Sequence, residues 1–95
     1  MIALGTRFKP RDGIVKQEMS GSLLLFNMED GQYYTLNDVG KRIWELCDGK
    51  RSLSEIANSL SLEYDSPPAT IRDDVLELVG DLADATLLVP VADQA

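Results

Sequence analysis

The 95-residue chain carries a net charge of −7, no histidine and one cysteine. This length makes one small domain, and the missing histidine removes the usual general base and the commonest transition-metal ligand together. No apolar run reaches the roughly 18 residues that a membrane span needs, and the N-terminus lacks the regions of a secretory signal, so a cytoplasmic protein is expected.

Met1 to Asp12 has little periodicity and contains Gly5 and Pro10. Residues 1–11 and 92–95 are expected to be flexible, with 12–91 as the folded core of a single domain. Gly13 to Met19 alternates loosely as a strand. Ser20-Gly21-Ser22 is turn material, and Leu23 to Asn27 is a short apolar strand. Met28 to Gly31 turns the chain through the tight-turn dipeptide Asp30-Gly31. Gln32 to Leu36, rich in strand formers, is the third predicted strand. Two short connections in succession favour an antiparallel meander.

Three helices follow. Asn37 suits an N-cap, with Asp38 in the first turn where negative charge is favoured, and the first helix runs to Cys47. Val39, Ile43, Trp44 and Leu46 form its apolar face, and Asp48-Gly49 supplies a stop. Ser52 and Glu55 match a capping box. The second helix continues to about Leu62 with Ile56, Ala57 and Leu60 inward. Pro67-Pro68 pre-sets the opening turn of the third. There Ile71, Val75, Leu78, Leu82 and Ala85 recur at spacings of four and three. Leu87 to Val91 is a short final extended piece. Strands followed by helices give an α+β fold with a three-stranded antiparallel sheet, similar in layout to a winged helix-turn-helix. Trp44, Phe26, Tyr34, Leu36, Ile56 and Leu78 are the leading core candidates.

The charge is unevenly placed. From Leu62 to Thr86 seven acids face one base, Arg72, so this segment carries −6. An acidic third helix argues against a phosphate-backbone partner and permits a neutral or basic peptide. Most of these acids also fit a plain solvated face. Catalytic constellations are missing: there is no CxxC, HExxH, GxSxG or phosphate-cradling glycine loop. Cys47 lacks a neighbour in sequence that would depress its pKa, and a buried structural role suits it. Asp73-Asp74 point about 100° apart on a helix and do not converge on a metal. No metal and no cofactor is expected, and no enzyme.

Strand alternation turns one of Tyr33 and Tyr34 inward and the other outward. If the third predicted strand is an edge, its amide and carbonyl groups are open to an incoming extended peptide. The third helix would then form the other wall. Arg72, Leu76, Val79 and Ala83 flank its core stripe, although Leu76 and Val79 could equally complete the core.

GQYYTLNDVGKRIWELCDGKRSLSEIANSL, followed by the acidic helix containing DDVLELVGDL, resembles the protein D family of pyrroloquinoline quinone biosynthesis and the related RiPP recognition elements. The resemblance spans roughly Leu23 to Leu88. It is carried by the YxLN step at Tyr34 to Asn37, the turns from Gly40 to Trp44, the Asp-Gly before the second helix, and Asp74-Val75. One departure is Thr86, where the family usually has glycine. Within the group, the aromatic GQYYTLN and Trp44 look most like the stand-alone leader-binding subunits of lasso-peptide pathways.

This resemblance implies a non-catalytic adaptor that binds the leader segment of a precursor peptide. It implies that the backbone of Gln32, Tyr33, Tyr34, Thr35 and Leu36 pairs with the leader. The third-helix wall would draw on Arg72, Val75, Leu76 and Val79, with Asp74 as a polar contact. A charged residue at Leu76 or Val79 would then weaken binding while the fold survives. A separate leader peptidase and a ring-forming cyclase are the implied partners, with no nucleic acid and no membrane. Three other readings stand beside it: the equivalent peptide chaperone of quinone-cofactor assembly, a winged-helix DNA-binding regulator, and an enzyme using Cys47.

Overall fold

A computed structural model describes residues 4–91 of the chain. Its central sheet is the expected meander. Strands β2 (Ile14–Met19), β3 (Ser22–Asn27) and β4 (Tyr33–Leu36) lie in that order, each antiparallel to the next. The β3–β4 turn places Gly31 at φ 74°, the left-handed region that glycine enters without a Cβ penalty. Asp30 tightens this turn, since its carboxylate accepts the Gln32 N–H at 3.0 Å.

Of the helices α1 (Asp38–Leu46), α2 (Leu53–Tyr64) and α3 (Pro68–Asp84), the first packs on β3 and β4, and the second packs against both the first and the third, giving an α+β fold. Their starts follow local chemistry. The Asn37 side chain accepts the Gly40 N–H at 2.8 Å. Ser52 and Glu55 form the reciprocal capping box, with the Glu55 carboxylate accepting the Ser52 N–H and the Ser52 hydroxyl accepting the Glu55 N–H. That donated backbone N–H is the main reason the Glu55 carboxyl is held below its usual range. Pro68 opens α3 at its first position, where no amide donor is needed.

The core runs from Leu23, Leu25 and Leu36 on the sheet to Ile43, Trp44, Ile56, Leu60, Val75, Val79 and Leu82 on the helices. Trp44, Leu36 and Ile56 are buried as expected, whereas Phe26 is 36% exposed. Alternation explains the difference. Leu23, Leu25 and Asn27 point to the helices, so Phe26 stands on the outer face between its cross-strand partners Val15 and Tyr33. Leu78 and Tyr34 are half-buried and also fall short of the expected core positions.

The stretch before Asp12, expected to be a flexible arm, carries a short strand in the part the structure describes. β1 (Phe8–Pro10) pairs antiparallel with β5 (Leu88–Pro90) in a separate two-stranded ribbon. Phe8 is buried, and the carbonyls of Leu4, Thr6 and Phe8 accept N–H groups from Ser54, Leu53 and Gly49. The segment therefore straps the α1–α2 connection to the C-terminal end of the fold. The expectation for residues 92–95 falls outside the described residues.

The departure at Thr86 sits where conformation matters. Leu87 N–H reaches Leu82 O at 2.9 Å and Thr86 N–H reaches Ala83 O at 3.0 Å, the paired bonds of a Schellman end to α3. Thr86 occupies the position that favours glycine, at φ 62°. A β-branched residue there costs about 1–2 kcal/mol, partly offset by the roughly 0.5–1 kcal/mol of extra chain entropy that glycine loses on folding. Thr86→Gly is therefore expected to raise stability by about 0.5–1 kcal/mol in urea unfolding. An unchanged or lower midpoint would show that the turn carries no strain.

Candidate peptide-binding groove

β4 hydrogen-bonds to β3 alone among the described residues, so its other side is an open edge. The hairpin fixes which groups lie on that edge. Asn27 N–H donates to Gln32 O at 2.8 Å, which places residue 32 in a hydrogen-bonded pair with β3. Pairs alternate along an antiparallel ladder. Tyr34 and Leu36 therefore turn their main-chain groups toward β3, and Tyr33 and Thr35 turn theirs outward. Gln32 is spent within the hairpin: its carbonyl accepts Asn27 and its N–H is taken by Asp30.

Beside this edge runs a groove of about 440 Å³. One wall is Tyr34 to Asn37, the floor is Val39, Gly40 and Ile43 of α1, and the far wall is Asp74, Glu77, Leu78 and Asp81 of α3. Gly40 keeps the corner between β4 and α1 tight, since a Cβ there would stand 3.2 Å from the Leu36 Cβ. Tyr34 leans into the groove. Its phenol is shifted above the ordinary range by burial first, then by the Asp81 carboxylate and by Glu77. Tyr33 is 70% exposed, so the two tyrosines do face opposite ways.

The residues expected for the α3 wall divide. Asp74 lines the groove. Val75 and Val79 are wholly buried in the core, and Arg72 and Leu76 are not among the lining residues. Glu77, Leu78 and Asp81 take that wall instead. The reason is helical phase: Asp74, Leu78 and Asp81 recur at four and three residues on one face, while Val75, Val79 and Leu82 recur on the next face, about 100° round. The signal was present in the chain as an apolar residue set between acids four before and three after it.

No cluster of three or more metal-ligating side chains occurs among the described residues. Cys47 is buried at 1% exposure, and burial together with Asp48 pushes its thiol up to about 12. That is the opposite of an activated nucleophile. Among the described residues no helix is long and apolar enough to cross a membrane.

The profile of the family "Coenzyme PQQ synthesis protein D (PqqD)" matches residues 22–88, which include β3, β4 and all three helices and reach the first residue of β5. A relative named "PqqA binding protein" in Rhodopseudomonas palustris strain BisB5 is 37% identical over 59 residues, 62% of this chain. The chain spans 58% of that relative's length. Among solved structures, TbiB1 in complex with the TbiA(β) leader peptide superposes with a TM-score of 0.78 at 29% identity, covering 90% of this chain and 99% of that one. The PqqD truncation of Methylobacterium extorquens PqqCD, described as a stand-alone RiPP recognition element, superposes with a TM-score of 0.71 at 27% identity, covering 86% and 87%.

Proposed function

The chain belongs to the coenzyme PQQ synthesis protein D family, and on that premise we propose that it binds the leader segment of a ribosomally made precursor peptide as an added strand on β4. The observation that carries this reading is the open edge: the outward N–H and C=O groups of Tyr33 and Thr35 lie beside a groove walled by α3. A peptide entering there gains main-chain hydrogen bonds from the edge and side-chain contacts from the groove, the two components of strand-addition recognition. TbiB1, a chain matched over nearly its whole length, is in complex with a leader peptide, which supports leader binding on this fold.

The protein acts as an adaptor and leaves the chemistry to others, in keeping with a buried, un-ionised Cys47. It delivers a lasso-peptide precursor to a separate leader peptidase and a ring-forming cyclase in the cytoplasm, raising the local concentration of the cleavage site. The aromatic edge at Tyr33 and Tyr34 and the Trp44 anchor support the lasso assignment. A second reading is favoured by relatives named for binding PqqA, namely that the same groove holds the quinone-cofactor precursor. The row of acids on α3 disfavours a nucleic acid in either case.

Calorimetric titration of the protein with synthetic leaders of both classes separates the two, and one leader is expected to saturate. Thr35→Pro removes one outward N–H while sparing the ladder to β3, and proline is tolerated on such an edge. It is expected to weaken the bound leader by roughly tenfold, about the contribution of one hydrogen bond with its partner left unsatisfied. Equal affinity in the folded variant would remove strand addition to β4.

A further inference from the structure

The α3 wall selects for charge. Asp74, Glu77 and Asp81 all line the groove, and no basic side chain lines it with them. None of the three has an ion-pair partner among the described residues, a condition shared with exposed acids such as Asp73 and Asp84, and their common place on one wall of the groove sets them apart. Three like charges along one side of a partly enclosed groove repel one another, and a cation seated there relieves that repulsion. Tyr34, on the opposite wall, keeps its proton and hydrogen-bonds the Asp81 carboxylate, so it adds no further negative charge.

The spacing is also specific. Asp74 and Asp81 flank Leu78 along the helix, with rises of about 6 Å and about 4.5 Å. Alternate residues of an added strand share a face and lie about 6.8 Å apart. An apolar side chain resting on Leu78, Val39 and Ile43 thus brings the residue two positions away within reach of an acid.

We propose that the segment accepted by this groove carries a lysine or arginine two positions from an apolar residue, with both on the face that meets α3. The apolar residue seats against Leu78, and the basic one pairs with the Asp74–Glu77–Asp81 row. This inference rests on the strand-addition reading above and names the chemistry of its ligand.

The test pans the full chain against a phage-displayed library of random peptides about twelve residues long, followed by affinity measurement of the selected peptides by fluorescence polarisation. Two variants accompany it. One is the triple Asp74→Asn, Glu77→Gln, Asp81→Asn, and the other is Thr35→Pro. All three acids are exposed, so the triple variant keeps the core. The expected result is enrichment of Lys or Arg two positions from an apolar residue. Binding should fall at least about tenfold in the triple variant, with the gap narrowing toward roughly 0.5 M salt, where charge attraction is screened within a few ångströms. Peptides that lose affinity in Thr35→Pro but bind the triple variant as well as the parent would overturn the charge inference and leave the edge reading standing. Selected peptides indifferent to Thr35→Pro, or no selected peptide at all, would overturn both.

Discussion

Val79→Asp is expected to unfold the protein. Val79 is 0% exposed, in the middle of α3 and inside the shared core. The substitution forfeits about 1.5–3 kcal/mol of apolar burial and places an unpaired carboxylate where none is solvated, which costs several kcal/mol more even after its pKa rises to neutralise it. The sum exceeds about 4 kcal/mol, comparable with the whole stability of a small domain. Far-UV circular dichroism and the fluorescence of the single tryptophan, Trp44, report the loss. A cooperative urea transition within about 1 kcal/mol of the parent would show that Val79 is not a core residue.

One position earlier, the outcome is expected to reverse. Leu78 is half-buried and lines the groove. Leu78→Glu lets the new carboxylate stay in water, so the fold survives with at most about 1 kcal/mol of loss. Leader binding loses the apolar contact, about 1–3 kcal/mol, because a solvated carboxylate replaces the apolar seat. A fall in affinity of roughly tenfold to a hundredfold follows. A folded Leu78→Glu protein that binds its leader normally would place the ligand elsewhere. The adjacent pair Leu78 and Val79 thus separates binding from stability, and a charge at Val79 cannot serve as a binding test because it removes the fold.

Much of the architecture was legible because its signals are local. Asp30-Gly31, the Asn37 cap, the Ser52–Glu55 box and Pro67-Pro68 each act within a few residues, and each marks a boundary seen in the structure. The open edge was legible in outline, since a short strand leading straight into a helix has no following strand to cover it. Two things were not local. The β1–β5 ribbon joins Phe8 to Pro90, and three-residue strands that pair across most of the chain leave almost no periodic trace. The groove wall depended on the phase of α3, where apolar residues occupy two neighbouring faces. The stripe through Leu78 and the stripe through Val79 fit a helical period equally well. Only the position of β4 and α1 decides which stripe meets the core. Phe26 shows the same limit in a strand, because a run of apolar residues does not reveal which parity faces inward.

An open edge is a hazard for a folded chain, since it invites pairing with any extended segment. Here the edge is only Tyr33 to Leu36 long, with two residues turned outward, and an acidic helix runs beside it. Short length limits indiscriminate pairing, and the helix adds a side-chain condition that a bare edge lacks. Elsewhere on the surface some charges are tied in pairs, such as Arg42 with Glu63, which links α1 to α2 without touching the groove.

The central claim is that the leader pairs with β4, and residue-resolved amide hydrogen exchange with and without leader tests it most directly. On saturation, the Tyr33 and Thr35 amides are expected to slow by at least about tenfold, as new hydrogen bonds close them from water. Amides along β2, at the other edge of the same sheet, are expected to exchange as before. Protection that appeared along β2 while Tyr33 and Thr35 stayed unchanged would contradict the account.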